Sequence, residues 1–252
     1  MRCSNIFVLF YVVMFAGLRV GCAEVAGLGE SLFLEGRMAL LRGEAWVLSC
    51  QNPDGSWQNS PGLTAQAGLL LANSNSDYYK EQLQRAIRWI LDHEKQLNCA
   101  GEFAQALRLP LRLNHPKLVK LVKDFQEHNT QWNMLDESVF SRQWLLDAHY
   151  LLPQELTLLS ASKVQQLQQS ILQAKERYPA LALLTLLSSG SSQIQTSELE
   201  KLHAVCVAQV ASAEPEYLFW IVRALRVSER FFPMIAKPWR AVIVSQVLEK
   251  QG

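Results

Sequence analysis

Apolar residues recur along this chain at the spacing of an α-helix, and no stretch alternates apolar and polar residues over the length of a strand. The positions i, i+3, i+4, i+7 and i+8 of one helical face are occupied by Leu83, Ala86, Ile87, Ile90 and Leu91. The first four of these positions recur at Leu118, Leu121, Val122 and Phe125. Each pattern predicts an amphipathic helix with one face to bury.

Segments of a second kind lie between these helices and are, for the most part, apolar nearly all round. They cover residues 63–71, 103–113, 140–152, 180–187 and 218–225. Such a composition is typical of a helix enclosed by other helices. Amphipathic outer helices and apolar inner helices are therefore predicted to alternate along the chain.

The apolar segments repeat at a nearly constant interval. Their equivalent positions are Ala65, Ala104, Ser141, Ala180 and Leu218, which are separated by 39, 37, 39 and 38 residues. A period of this size indicates a repeat of helical hairpins. We predict an all-α fold, an α/α toroid or a strongly curved α-hairpin solenoid, with about five hairpins of 37–39 residues and a terminal helix over 238–250. The inner helices would line its centre.

Proline placement agrees with this period. Ser60 is a predicted N-cap with Pro61 at the first helical position. Four further prolines fall where helices are predicted to begin, namely Pro116, Pro153, Pro179 and Pro215. Pro110 lies inside an apolar segment and should kink or end that helix.

The N-terminus has the pattern of a secretory signal. Arg2 precedes an unbroken apolar run from Ile6 to Leu18, and small residues follow up to Ala23. We predict that residues 1–23 are a signal peptide and that residues 24–252 form a single α/α repeat domain, exported to the periplasm or the extracellular space. Cys22 also resembles the lipid attachment site of bacterial lipoproteins, and so a lipid-anchored envelope protein and an uncleaved anchor are the alternatives.

Composition and charge narrow the classes of partner. The chain has 252 residues, of which 49% are hydrophobic and 19% charged, as expected of a folded protein with a sizeable core. Removing residues 1–23 takes away Arg2 and Arg19 and no acid, which changes the net charge from +1 to −1. This balance does not suggest nucleic acid. Membrane contact is expected only through a lipid on Cys22 or an uncleaved signal.

Three cysteines follow the predicted signal: Cys50, Cys99 and Cys206. An odd number in an exported protein permits one disulfide with one thiol left over. Cys50 and Cys99 both lie at the ends of predicted helices, so they could be bridged, or they could remain thiols.

A polar loop follows the first predicted helix, and its sequence is specific. Residues 42–57 read "RGEAWVLSCQNPDGSW", in which the marked positions are Arg42, Gly43, Trp46, Gln51, Asp54, Gly55 and Trp57. This stretch resembles the QW repeat of squalene and oxidosqualene cyclases. A weaker copy runs from Gln126 to Trp132, 75 residues after the first. The resemblance implies the α/α toroid that these cyclases share with protein prenyltransferase β-subunits and with exported bacterial proteins carrying prenyltransferase and squalene-oxidase repeats.

The residue types of this loop have a structural explanation. Gly55 can adopt a positive φ, and Asp54 can bond to local backbone groups. Gln51 is expected to satisfy amides at the start of the next helix, with Trp57 packed on it. On this interpretation the motif joins an outer helix to the following inner helix.

The catalytic motifs of the related families are not found in this sequence. It contains neither the Asp-x-Asp-Asp acid of triterpene cyclases nor an Asp-Asp-x-x-Asp for magnesium diphosphate. His203 and Cys206 could share a helix face, as zinc ligands do, but the sequence points to no third or fourth ligand. We therefore predict no metal and no cofactor.

Five residues are weak candidates for catalysis. Glu102, Asp136 and Glu137 lie near the starts of inner helices, where acids also offset the helix dipole. Asp147 and His149 lie further along the third inner segment and could do acid–base work or pair structurally. We expect a non-catalytic binding or scaffolding module that holds an unknown protein or small ligand on its central or concave surface. The alternative is a polysaccharide- or isoprenoid-acting enzyme that uses these acids.

Overall fold

The computed structural model describes residues 30–94, 97, 99–128, 132–153, 155–189, 196–229, 231, 239–243 and 245. Within these ranges the chain is helical and contains no strand. The helices are α1 (Glu30–Ser49), α2 (Pro61–Asn75), α3 (Lys80–Asp92), α4 (Ala100–Arg112), α5 (Leu118–His128), α6 (Val139–Leu151), α7 (Ala161–Gln173), α8 (Pro179–Ser189), α9 (Thr196–Gln209) and α10 (Pro215–Ser228). The all-α class is confirmed.

The chain forms two compact units. One takes its described residues from Met1–Leu48 and Lys175–Gly252, and the other is Ser49–Ala174. In the second unit the inner helices α2, α4 and α6 pack side by side, while the outer helices α3, α5 and α7 pack against them. In the first unit α8 packs beside α10, and α9 packs on both. The predicted alternation of inner and outer helices is therefore confirmed within each unit, whereas a closed ring and a single domain over 24–252 stay predictions.

Burial follows the two predicted classes of helix. On α8 the apolar run from Ala180 to Leu184 is buried without interruption. The amphipathic α3 buries Leu83, Ala86, Ile87 and Ile90 on one face and leaves its polar residues outside. Because apolar burial is the main driving force of folding, this difference accounts for the inner position of one class and the outer position of the other.

Two side-chain contacts fix the register of the repeat between α2 and α4. Gln66 Nε2 donates to Gln105 Oε1 over 2.8 Å, and Arg112 Nε donates to Asn73 Oδ1 over 3.1 Å. Each pair is 39 residues apart. Residues that are one sequence period apart on α2 and α4 are therefore neighbours in space.

Prolines mark helix boundaries, with one exception to the prediction. Pro61, Pro179 and Pro215 begin α2, α8 and α10. The prediction for Pro153 is wrong, since α7 begins only at Ala161. Pro153 instead follows Leu152, the C-cap of α6, where proline is common because it cannot continue a helix. Pro110 lies inside α4, which ends two residues later as predicted.

The described part of the predicted terminal helix is helical over residues 239–243. Arg240 Nη2 donates to both oxygens of Glu229, over 2.9 and 2.7 Å, and so ties this segment to the end of α10. The predicted signal peptide and Cys22 lie outside the described residues. No helix in the described part of the chain is both long and apolar enough to cross a membrane.

Candidate functional site

The loop after α1 turns sharply at Gly55. Its φ is +100°, as predicted for this glycine. A Cβ atom at Gly55 would lie 2.6 Å from the backbone carbonyl carbon of Arg85 on α3. The loop backbone therefore lies directly against the next outer helix, a close approach that the sequence did not predict.

Asp54 bonds within the loop. Its Oδ1 accepts from the backbone N–H of Ser56 over 2.9 Å and from the Ser56 hydroxyl over 2.8 Å. The backbone bond, followed by the hydroxyl bond, lowers the pKa of Asp54 because both favour the charged carboxylate. The predicted role in local backbone bonding is thus found.

Gln51 differs from its predicted role. Its Nε2 donates to the carbonyls of Gly55, over 3.1 Å, and Gln82, over 3.0 Å. Its Oε1 accepts from Arg85 Nη2 over 3.2 Å. Gln51 therefore fastens the loop to the outer helix α3, and Ser60 caps α2 by accepting from the Leu63 N–H. The expectation that Gln51 caps the next helix is wrong because Ser60 already fills that role.

The other positions of the motif are largely enclosed. Trp57 is fully buried, and its backbone N–H donates to Thr64 Oγ1 over 3.0 Å. On α1, Gly43 is buried, Trp46 is half-buried and Arg42 is exposed. Trp57 therefore anchors the loop to the first turns of α2.

The second copy of the motif makes a matching contact. Gln126 Nε2 donates to the carbonyl of Thr157, 31 residues along the chain, and Gln51 donates to Gln82, also 31 residues along. Trp132 is half-buried, and its ring centroid lies 5.7 Å from that of Phe125. Each glutamine thus bonds to a carbonyl at or just before the start of a following outer helix, α3 for Gln51 and α7 for Gln126.

Glu137 spans two repeats. Its Oε1 accepts from the Ala100 N–H over 2.7 Å, and its Oε2 accepts from the Gly101 N–H over 2.9 Å. Both amides belong to the first turn of α4, whose amides have no partner within the helix. Glu137 is therefore an N-terminal cap supplied by the following hairpin. In the other unit the Tyr217 hydroxyl accepts from the Ala180 N–H, at the start of α8, over 3.1 Å.

Glu102 lies beside Glu137 at the same helix start. Cys99 is the N-cap of α4, and its Sγ accepts from the Glu102 N–H. Burial is the main cause that raises the pKa of Cys99, and the charges of Glu137 and Glu102 add to it. Glu102 and Glu137 therefore both act on the Cys99 thiol at the start of α4. Asp136 is exposed and bonds to Asn133 within a local turn.

Asp147 and His149 are not brought together. Asp147 is buried, and its Oδ1 accepts from Gln143 Nε2 over 3.0 Å. His149 is half-buried, with its ring centroid 5.4 Å from that of Tyr150. Two residues along a helix correspond to a rotation of about 200°, so the two side chains leave α6 on nearly opposite sides.

The remaining candidates from the sequence are the three cysteines, for a disulfide, and His203 with Cys206, for a metal site. Cys50, Cys99 and Cys206 are not joined in a disulfide. Cys206 and His203 are both buried on α9. Burial raises the pKa of Cys206 to about 12 and lowers that of His203, the latter against the opposing charge of Glu229. Within the described ranges no three His, Cys, Asp or Glu residues gather as a metal site would require.

The feature that sequence reasoning missed is a polar stripe on the inner helices. We call Gln66, Gln105, Asn73 and Arg112 the polar ladder. Gln66, Gln105 and Asn73 are half-buried, Arg112 is exposed, and the two hydrogen-bonded pairs lie seven residues apart along each helix. The available signal was the recurrence of polar residues at the same 39-residue separation, within the apolar segments or just after them.

Comparisons of this chain with protein-family models, with curated proteins and with solved structures find no match.

Proposed function

We propose that this chain is an exported, non-catalytic helical-repeat protein that binds a polar ligand or partner on its inner helices. The observation that carries the proposal is the polar ladder. Most of the buried side chains on α2 and α4 are apolar. The half-buried amides and the exposed guanidinium between these helices are therefore suited to hydrogen bonding with a ligand.

The hydrogen bonds within the polar ladder leave donors and acceptors that a ligand could use. In the Gln66–Gln105 pair, Gln66 uses one hydrogen of Nε2 and Gln105 uses its Oε1. A carboxamide has two donor hydrogens and an acceptor oxygen with two lone pairs. Beyond the bond between them, Gln66 therefore has one further donor hydrogen and its oxygen, and Gln105 has two donor hydrogens and one further lone pair. Fixing both amides in advance reduces the side-chain entropy that binding would cost.

The positions of the acids favour binding over catalysis. Glu137 uses both carboxylate oxygens to cap α4, and Asp147 accepts from Gln143 in the core. Both carboxylates thus have a structural role that accounts for their presence. The matching bonds of Gln51 and Gln126 support the proposed relationship to proteins with prenyltransferase and squalene-oxidase repeats.

The test is a thermal-shift titration with neutral oligosaccharides and with short uncharged peptides as probes. A probe that binds the folded chain raises its unfolding temperature. We expect such a probe to lose its effect in Gln66→Leu and Gln105→Leu but to keep it in Gln173→Leu, which changes an exposed glutamine of α7. Binding that is unchanged in both ladder variants would contradict the inner-helix location. Turnover of a polysaccharide or an isoprenoid that is lost in Glu102→Gln would contradict the non-catalytic role.

A further inference from the structure

One side of α4 carries charges of opposite sign at its two ends. Glu102 lies in the first turn and is half-buried, whereas Arg112 lies in the last turn and is exposed. Gln105 of the polar ladder lies between them. Successive helical residues are about 100° apart, so the three side chains leave α4 within about 80° of one another. A carboxylate, a carboxamide and a guanidinium therefore follow one another along one side of the helix.

Arg112 is held in place but keeps the part of its side chain that recognises a carboxylate. Its Nε donates to Asn73 Oδ1 over 3.1 Å, and the two terminal nitrogens are the ones that form parallel bonds to a carboxylate. Among the described residues Arg112 forms no ion pair, either with Asp77 in the loop after α2 or with another acid. In the last two turns of α2, α4 and α6 the acid is Asp147, which is buried. Arg112 is thus suited to an anionic group of a ligand.

Acids lie at the other end of this side of α4. Glu137 caps the first two amides of the helix with both carboxylate oxygens, next to the turn that carries Glu102. Asp136 adds an exposed acid in the same segment. Arg142 donates from Nε and Nη2 to the carbonyls of Glu137 and Leu135, so its guanidinium is directed at the loop before α6. The start of α4 is therefore suited to a cationic group, and its end to an anionic one.

The separation of these two ends matches a short peptide. Ten residues of helix, from Glu102 to Arg112, rise about 15 Å. An extended chain covers about 3.3 to 3.6 Å per residue, so a peptide of about four or five residues places its ammonium group at one end and its carboxylate at the other. Its backbone groups alternate between donors and acceptors, as the carboxamides of Gln66 and Gln105 can match. A neutral oligosaccharide has no groups for the two charged ends.

We propose that the ligand of the polar ladder is a short peptide with free termini, bound in an extended conformation along α4. Its carboxylate binds Arg112, its ammonium group lies at Glu102, and its backbone bonds to Gln66 and Gln105 between them. This inference rests on the proposed ligand binding by the polar ladder and names the class of ligand.

The experiment measures the affinity of the purified full chain for pentaalanine by isothermal titration calorimetry. Four forms of the peptide are compared: one with free termini, one N-acetylated, one C-amidated and one with both modifications. We expect the form with free termini to bind most tightly and each single modification to weaken binding about fivefold, since it removes one solvent-exposed charge pair. Trialanine, which is too short to reach both ends, should bind about as weakly as a singly modified form.

Two variants assign the two ends of the peptide. Arg112→Gln should abolish the difference between the free and the amidated carboxyl group, and Glu102→Gln the difference between the free and the acetylated amine. Arg88→Gln and Glu81→Gln, at exposed residues of α3, are the matched controls and should keep both differences. Thermal unfolding without peptide shows that each variant is folded. If Glu102 and Arg112 served only the stability of α4, their variants would unfold at lower temperature and keep both differences.

Equal affinities of the four peptide forms for the wild type would overturn the proposal. So would a neutral oligosaccharide that binds while no form of the peptide does. Either result leaves the proposed ligand binding standing, provided that the binding is lost in Gln66→Leu. Peptide binding that Gln66→Leu and Gln105→Leu leave unchanged, or the absence of binding by every probe, would contradict the proposed function together with this inference.

Discussion

A Cβ atom on Gly55 would lie 2.6 Å from the carbonyl carbon of Arg85, and Gly55 has a φ of +100°. Two independent constraints therefore require glycine at this position. The first is the left-handed backbone, and the second is the contact between the loop and α3.

The substitution Gly55→Ala is expected to lower the free energy of unfolding by about 3 kcal/mol, since it combines the cost of a positive φ with a backbone clash. Urea denaturation measures this change. Gln84→Ala, at an exposed residue of α3, is the control and should change stability by less than about 0.5 kcal/mol. Equal effects of the two substitutions would show that the loop does not pack on α3 as described.

Removing Gln51 should also destabilise the fold. Gln51→Ala removes the hydrogen bonds to the carbonyls of Gly55 and Gln82 and to the guanidinium of Arg85. We expect a loss of about 1 to 3 kcal/mol. Gln126→Ala breaks the corresponding bond to Thr157. This substitution should reduce stability less than Gln51→Ala, because the Gln126–Thr157 hydrogen bond is exposed to solvent. Gln173→Ala is the matched control, and a stability loss as large as that of Gln51→Ala would contradict this account.

A third prediction concerns the close packing of the inner helices α2 and α4. A Cβ atom on Gly68 of α2 would overlap Leu109 Cδ2 of α4. Gly68→Ala should therefore push the two helices apart and destabilise the fold by about 1 to 3 kcal/mol. Adding Leu109→Ala to this variant removes the clash, and so the double mutant should lose less stability than the sum of the single losses. Strict additivity would show that the two side chains do not meet.

Mild acid should destabilise the fold through His203, which is buried, and His149, which is half-buried. Burial lowers the pKa of His203 and of His149 below the ordinary value of 6.5. The unfolded chain then takes up protons at a higher pH than the folded chain, so stability is lost as the pH falls from 6.5 toward the lowered pKa. Denaturation at neutral pH and at about pH 5 measures the loss. His149→Asn should reduce this pH dependence, and an unchanged dependence in both His149→Asn and His203→Asn would contradict this origin.

Hydrophobic periodicity predicted the fold class well. The five apolar segments coincide with the inner helices because burial on all sides requires apolar residues on all sides, as on α8. The positive φ of Gly55 and the local bonds of Asp54 were also predictable, since both depend on neighbouring residues.

Contacts between distant residues were not predictable. The partner of Gln51 is Gln82, 31 residues away, and the partner of Glu137 is the start of α4. Such bonds depend on the distance and rotation between packed helices, which a periodic pattern does not specify. The polar ladder was missed for the same reason, because Gln66 and Gln105 acquire their meaning only as a pair.

The central proposal is that Glu137 is held as a helix cap that joins neighbouring hairpins and not as a catalytic acid. The most direct measurement is the free energy of unfolding of Glu137→Ala, with Glu155→Ala, at an exposed loop residue, as the control. Because Glu137 caps two amides of α4, we predict a loss of about 1 to 2 kcal/mol for Glu137→Ala and almost none for the control. Catalytic acids are commonly held at a cost in stability, so their removal often stabilises a protein. A Glu137→Ala protein that is as stable as the wild type, or more stable, would contradict the account.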